Sequence, residues 1–150
     1  MGRVLAAAGI ATGATLVVDQ ASKAIVRATM EPGERHDIAL GGEVALTHVK
    51  NTGAAYGLFG ELPTWVPMVG TAAIGAGMLA LGARSPRSAI VGAGAGLVIG
   101  GGLGNVIDRV HQGHVTDFIH TTDLFGHYNV ADVAISAGLA TAAGALIFAR

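Results

Sequence analysis

The residues of this chain best suited to chemistry are aspartates placed at helical spacing from amides and cations. Asp19 and Lys23 are four apart, which stacks them on one helix face and lets them pair. A local ion pair, or a lysine reaching for the interface, accounts for them equally well. Asn105 and Asp108 are three apart with Arg109 beside them, a set that reads first as a structural network of amide, carboxylate and guanidinium. Asp117 falls in Gly113-His114-Val115-Thr116-Asp117-Phe118-Ile119, where the apolar neighbours suggest a return toward an apolar boundary. Asn129 and Asp132 are again three apart, at the start of an apolar stretch where a helix dipole favours a carboxylate. Capping explains one of the two, not obviously both. Two carboxylates brought together share one proton, because like charges a few ångströms apart resist double ionisation. The charged member of such a dyad activates water and the protonated one polarises a carbonyl. Spacing alone does not choose the pair among Asp19, Asp108, Asp117, Asp123 and Asp132, and the same groups would serve a proton or ion pathway.

Other chemistries are less well supplied. His111, His114, His120 and His127 lie near Asp117 and Asp123, but the two helical histidines with an intervening glutamate that mark many zinc proteases are missing. No metal and no cofactor is expected. Ser22 and Lys23 are adjacent, so on a helix they point about 100° apart and do not form a nucleophile and base. Gly100-Gly101-Gly102 is followed by no Gly-Lys-Ser/Thr and is not a phosphate loop. With no cysteine there is no thiol chemistry, and a net charge of -1 supplies no basic field for nucleic acid.

The elements that must hold these residues are set by composition. The chain is 51% hydrophobic and only 13% charged, against about 25% charged in an ordinary soluble domain. Apolar stretches at 4 to 26, 62 to 83, 89 to 107 and 128 to 149 each approach the roughly 20 residues that span a bilayer. The first resembles a secretory signal, but three more spans follow it, so it is expected to remain as a helix. The predicted architecture is an all-α integral membrane protein, one domain over residues 1 to 150. Four transmembrane helices are accompanied by a small β element in the first outer loop at the membrane surface. His36 to Leu40 and Val44 to Val49 are its strands, with Gly41-Gly42 as the turn. Gly92, Gly96, Gly100 and Gly104 recur every four residues, a stripe that admits close helix packing. Arg3, Arg84, Arg87 and Arg150 place both termini and the 2-3 loop in the cytoplasm, with 27 to 61 and 108 to 127 outside. Trp65 and Tyr128 suit the outer interfacial belt.

At these residues the sequence resembles signal peptidase II, the bacterial lipoprotein signal peptidase. Five motifs occur in order: Val18-Asp19-Gln20-Ala21-Ser22-Lys23; Asn51-Thr52-Gly53-Ala54-Ala55-Tyr56-Gly57; Gly101 to Arg109; Gly113 to Ile119; and Tyr128-Asn129-Val130-Ala131-Asp132. The resemblance implies an aspartic endopeptidase of the bacterial cytoplasmic membrane with Asp117 and Asp132 as its catalytic pair. It further implies that Asp19, Lys23, Asn51, Gly53, Asn105, Asp108, Arg109, Asn129 and Ala131 shape the site or position substrate. The implied substrate is a prolipoprotein in membrane lipid, cleaved just before a diacylglyceryl-modified cysteine, with no obligatory protein partner. Asn51 to Gly57 would be a mobile element over it. The rival reading is a small proton-coupled transporter or channel using the same carboxylates, although repeat symmetry is not apparent. A structural scaffold would leave Asp117, Asn129 and Asp132 idle.

The expected orientation is testable because the chain has no cysteine of its own. A thiol probe that cannot cross membranes should label Thr122→Cys and not Ser85→Cys in intact cells; the opposite pattern would invert the topology.

Overall fold

The computed structural model describes residues 1–53, 65–121 and 126–148. Four long helices run through it: α1 (Gly2–Thr29), α2 (Trp65–Gly82), α3 (Ser88–Gln112) and α4 (Val130–Ile147). All four are long and apolar enough to cross a bilayer. Their outward faces carry Ile10, Val17, Val69, Ile74, Leu81, Leu139 and Ile147, all well exposed, a surface that suits lipid and not water. This is a multi-pass membrane protein.

α3 is the central helix, packed on the other three, while α1 and α2 barely touch. Glycine makes this possible. A Cβ at Gly92 would lie 2.3 Å from the Val4 carbonyl oxygen, and one at Gly96 would lie 2.3 Å from that of Ala8. On another face of α3, a Cβ at Gly94 would meet the Gly138 carbonyl oxygen at 2.7 Å, and one at Gly101 would meet that of Ala131 at 2.4 Å. Helix backbones therefore touch directly, with Thr12 Oγ1 donating to the Gly96 carbonyl at 3.1 Å. Where side chains return, Met78, Val91, Ala95, Val98, Ala142 and Ala145 form the apolar core.

At 28 residues and about 1.5 Å per residue, α1 is longer than the roughly 30 Å hydrocarbon core needs. It stops at Met30, which is extended, because Pro32 biases Glu31 away from helix. At this end of the bundle lies one antiparallel sheet of β1 (Arg35–Ala39), β2 (Val44–Asn51), β3 (Val115–His120) and β4 (His127–Tyr128), in that order. β1 is exposed throughout. β3 is almost wholly buried, and its Phe118 packs with Val26 and Met30 of the α1 end.

The four spans and the small β element have the expected architecture, with differences in extent. The sheet is not confined to the first outer segment, since β3 comes from the second and β4 (His127–Tyr128) spans its last residue and the first of the expected fourth span. The α3 helix runs to Gln112, five residues past the expected stretch, because its polar last turns are satisfied by neighbours and Gly113 caps it at φ 75°. The β1–β2 connection is a 3-10 turn over Leu40–Gly42, and β2 extends to Asn51. Residues 62–64, most of the proposed mobile element (54–57), and Asp123 lie outside the described residues.

The α1–α3 contact predicts that Gly96→Ala lowers stability by about 1–3 kcal/mol, the usual cost of overpacking. Gly77→Ala, where a Cβ meets nothing within 4 Å, should be neutral or slightly stabilising. Thermal unfolding in detergent compares the two; equal melting temperatures for Gly96→Ala and wild type would mean the backbones are not this close.

Candidate active site

The aspartates gathered at this end of the bundle fall into two groups according to what partners them. Asp19 and Asp108 are held by cations. Lys23 Nζ lies 2.9 Å from Asp19 Oδ2 and 3.3 Å from Asp108 Oδ2, and Arg27 Nη1 lies 3.5 Å from Asp108 Oδ1. Asp19 also accepts from the Ala131 backbone N–H at 2.9 Å, satisfying one of the free donors in the first turn of α4. Gly104 has no Cβ where one would lie 2.4 Å from Asp19 Oδ2, and fully buried Ala131 packs beside it. Asp108 accepts from the Thr116 backbone N–H at 2.9 Å, tying the end of α3 to β3.

Asp117 and Asp132 are held by amides instead, and no Lys or Arg among the described residues pairs with either. Asp117, on β3, accepts from Asn129 Nδ2 on Oδ1 and from Asn51 Nδ2 on Oδ2, both at 2.7 Å. Asp132 accepts from Asn105 Nδ2 on Oδ1 at 2.9 Å and from the Asn129 backbone N–H on Oδ2 at 3.1 Å. The second bond, with Asn129 Oδ1 accepting from Asp132 N–H at 3.1 Å, completes a capping box at the start of α4. Both residues are therefore engaged in the cap, and each also faces the site. Asn129 is fully buried and Asp132 partly exposed.

The two carboxylates line one cavity of about 240 Å³ together with Asn51, Asn105, Arg109, Val115 and His127. The rest of its lining comes from α2, α3 and α4: Pro67, Met68, Gly102 and Ile135, with Thr71 and Ser136 among them. Gly53 N–H donates to Asn51 Oδ1 at 3.0 Å, and Arg109 Nη2 reaches the Gly53 carbonyl at 3.4 Å. The structure thus brings all eleven residues singled out in the sequence into one connected polar region. Burial raises the Asp117 carboxyl from its ordinary value to about 7; the Asn51 hydrogen bond opposes this, the Asp132 charge adds to it, and the Asn129 hydrogen bond and the Lys23 charge oppose it. Asp132 is thus near enough for its charge to be felt.

Three residues of the network escaped the sequence reading. Gln20 Nε2 lies 3.0 Å from Asp19 Oδ2 and 3.2 Å from the Gly104 carbonyl; Arg27 Nη1 donates to Thr116 Oγ1 at 3.1 Å. Their signal was the helical series Gln20, Lys23, Arg27, a polar stripe on an apolar helix. The histidines do not converge: His111 is exposed, His114 borders a separate cavity, and His120 stacks near His127 with ring centroids 5.0 Å apart. Among the described residues no three His, Asp or Glu side chains are placed to share a metal ion.

Residues 11–148 match the family model for signal peptidase (SPase) II. A lipoprotein signal peptidase of Tolumonas auensis is 39% identical over 82% of this chain and 79% of its own length. One from Methylobacterium sp. is 37% identical over 88% and 84%. A bacterial membrane enzyme solved at 2.3 Å superposes with a TM-score of 0.69 and 25% identity, covering 93% of this chain and 87% of that one.

The burial of Asp117 has a sign that can be measured. A carboxyl whose folded pKa is raised binds its proton more tightly folded than unfolded, so its contribution to stability is greatest below the unfolded value, near 3.8, and is lost as pH rises through about 7. Asp117→Asn removes this titration. The melting temperature of Asp117→Asn minus that of wild type should therefore grow from pH 4 to pH 8; a difference independent of pH would contradict the raised value.

Proposed function

Because the chain belongs to the signal peptidase II family, and is a membrane protease on that ground, we propose that it cleaves prolipoproteins with Asp117 and Asp132 as its catalytic pair. The observation that carries the assignment is that these two carboxylates, unlike Asp19 and Asp108, pair with no Lys or Arg among the described residues and face one cavity. The substrate is a precursor whose signal peptide lies in the bilayer and whose cysteine carries diacylglycerol, cut just before that cysteine. The site faces the outer side of the bacterial cytoplasmic membrane, as the arginine distribution suggests.

The reaction follows from the chemistry of a shared proton. The ionised carboxylate takes a proton from water as the water oxygen bonds to the scissile carbonyl carbon; the protonated one donates to the carbonyl oxygen. Collapse of the resulting gem-diol breaks the C–N bond: the carboxyl that received the water's proton protonates the departing nitrogen, and one diol hydroxyl returns its proton to the other carboxylate, restoring the shared proton. Asn51, Asn105 and Asn129 hold the carboxylates through N–H bonds to both oxygens of each. Arg109, on the cavity wall, is positioned to bind substrate carbonyl groups. The cavity wall contributed by α2 and α4, apolar but for Thr71 and Ser136, would receive the segment of substrate to be cut. A transporter would use the same carboxylates in a through-going path, whereas here they are anchored at one end of the bundle.

Asp117→Asn and Asp132→Asn should each lower turnover of lipidated prolipoprotein by about 10³ or more while leaving a folded protein that still binds it, since asparagine can neither accept the water's proton nor share one. Asp123→Asn, outside the five motifs, should be nearly silent. The wild-type profile should be bell-shaped, with both limbs belonging to the coupled pair. Release of signal peptide, followed by mass, is the measurement. A tenth of wild-type turnover in either variant would defeat the assignment.

A further inference from the structure

Three primary amides surround the carboxylates, and an amide presents either an acceptor or two donors depending on which way it is turned. What fixes the direction is the partner on the other side. Asn51 Oδ1 accepts from the Gly53 backbone N–H, and Asn129 Oδ1 from that of Asp132. Neither N–H can accept a bond, so both amides must turn their NH2 groups to the carboxylates. No backbone N–H among the described residues donates to the Asn105 oxygen. Its Oδ1 instead accepts from Lys23 Nζ at 2.9 Å and from Asn129 Nδ2 at 3.1 Å.

Lys23 is 0% exposed and lies between Asp19 and Asp108. An ammonium held by two carboxylates has donors only, so it accepts no bond from an amide NH2. We propose that Lys23 is a positioning residue for the cleavage reaction: it holds the Asn105 carbonyl oxygen, and so turns the Asn105 NH2 onto Asp132. The inference rests on Asp132 belonging to the catalytic pair and goes beyond it by giving the buried lysine a directional role that charge neutralisation does not supply.

Reversal of Asn105 would set its Oδ1 against Asp132 Oδ1, where the NH2 now lies at 2.9 Å. Two acceptors meet there without repulsion only when the carboxyl brings a proton. The pair would then bind its second proton more readily, leaving no base for water. Asn129 Nδ2 would also lose one of its two acceptors, and that same NH2 holds Asp117 Oδ1. Lys23 therefore bears directly on the Asp132 donor, while the Asn129 donor to Asp117 keeps the direction set by the Asp132 backbone N–H.

The test is a double-mutant cycle of Lys23→Met and Asn105→Ala, with turnover of lipidated prolipoprotein followed against pH. Each single variant should lower kcat by about tenfold or more and move the acid limb of the profile to higher pH, with KM within about threefold of wild type. The double variant should be no worse than the poorer single one, because both remove the same N–H from Asp132. Effects that multiply, or a Lys23→Met limb that stays in place, would overturn the inference and show Lys23 acting through charge or folding alone. If Lys23→Met does not fold, Asn105→Asp decides: it keeps an acceptor for Lys23 but has no donor for Asp132. Its folded protein should lose about a hundredfold in turnover, whereas turnover near wild type would overturn the proposal. Asp132→Asn is run alongside. If that variant remains active, the dyad reading fails and takes this inference with it, an outcome distinct from a multiplicative cycle.

Discussion

Backbone contact between α3 and its neighbours is the constraint from which the rest of the structure follows. Lipid supplies no hydrophobic drive to join apolar helices, so their association depends on close van der Waals contact and on bonds between polar groups. The α3 glycines that face α1 provide the first along most of the helix. At Gly104 the same stripe passes from packing to polarity, because the atom filling the place of its Cβ is an Asp19 carboxylate oxygen. Only with the two backbones this near can a side chain as short as aspartate reach from α1 to the first turn of α4. The approach of the helices and the assembly of the site are thus one event.

A polar network at a lipid boundary must be complete, since each unpartnered charge there is expensive. The network here reconciles this demand with reactivity by dividing its carboxylates. Lys23 and Arg27 attend Asp19 and Asp108, which join helices and strand. Amides attend Asp117 and Asp132, supplying hydrogen bonds without a permanent neutralising charge. The sheet enforces the division. Side chains alternate along a strand, so Thr116 meets Arg27 while Asp117 meets Asn51 and Asn129. A slip of one residue in β3 would exchange them. The bond from Thr116 N–H to Asp108 and the pairing of Val49 with Asp117 oppose such a slip.

Features that depend on local pattern were legible in the sequence. Span length, the four-residue glycine period, and the Asp19–Lys23 and Asn129–Asp132 spacings all correspond to observed contacts, because helix geometry relates them directly. What pattern could not convey was pairing between distant segments. β3 reads as Val-Thr-Asp-Phe-Ile-His, with no clear alternation, and becomes a strand by joining β2 about seventy residues earlier in the chain. The end of α3 was obscured for a related reason. Asn105, Asp108 and Arg109 resemble a helix leaving the membrane, whereas they continue it, Asn105 and Asp108 being met by α1, α4 and β3 and Arg109 by the Asn105 and Gly53 carbonyls. Spacing could not choose the carboxylate pair either, since Asp19 and Asp108 are as buried as Asp117 and differ in the charge of their partners. That difference exists only in three dimensions.

The surroundings of Asp117 show why amides suit a proton-sharing pair better than cations. Two N–H bonds to a carboxylate, taken alone, favour its charged form and would leave a strong acid with no proton to share. Burial works the other way, and at Asp117 it is the largest effect, which is how the group comes to titrate near neutrality. A guanidinium or ammonium in place of Asn51 or Asn129 would fix the charge and tip that balance back. Removing the amides altogether would leave two buried carboxyls free to rotate and to take up a proton each. Neutral donors with fixed directions lie between these extremes, holding both oxygens of each carboxylate in place while a proton can still move between water, substrate and acid. Lys23, the buried cation, sits one layer away, where it bonds the Asn105 amide and reaches Asp117 only through its charge.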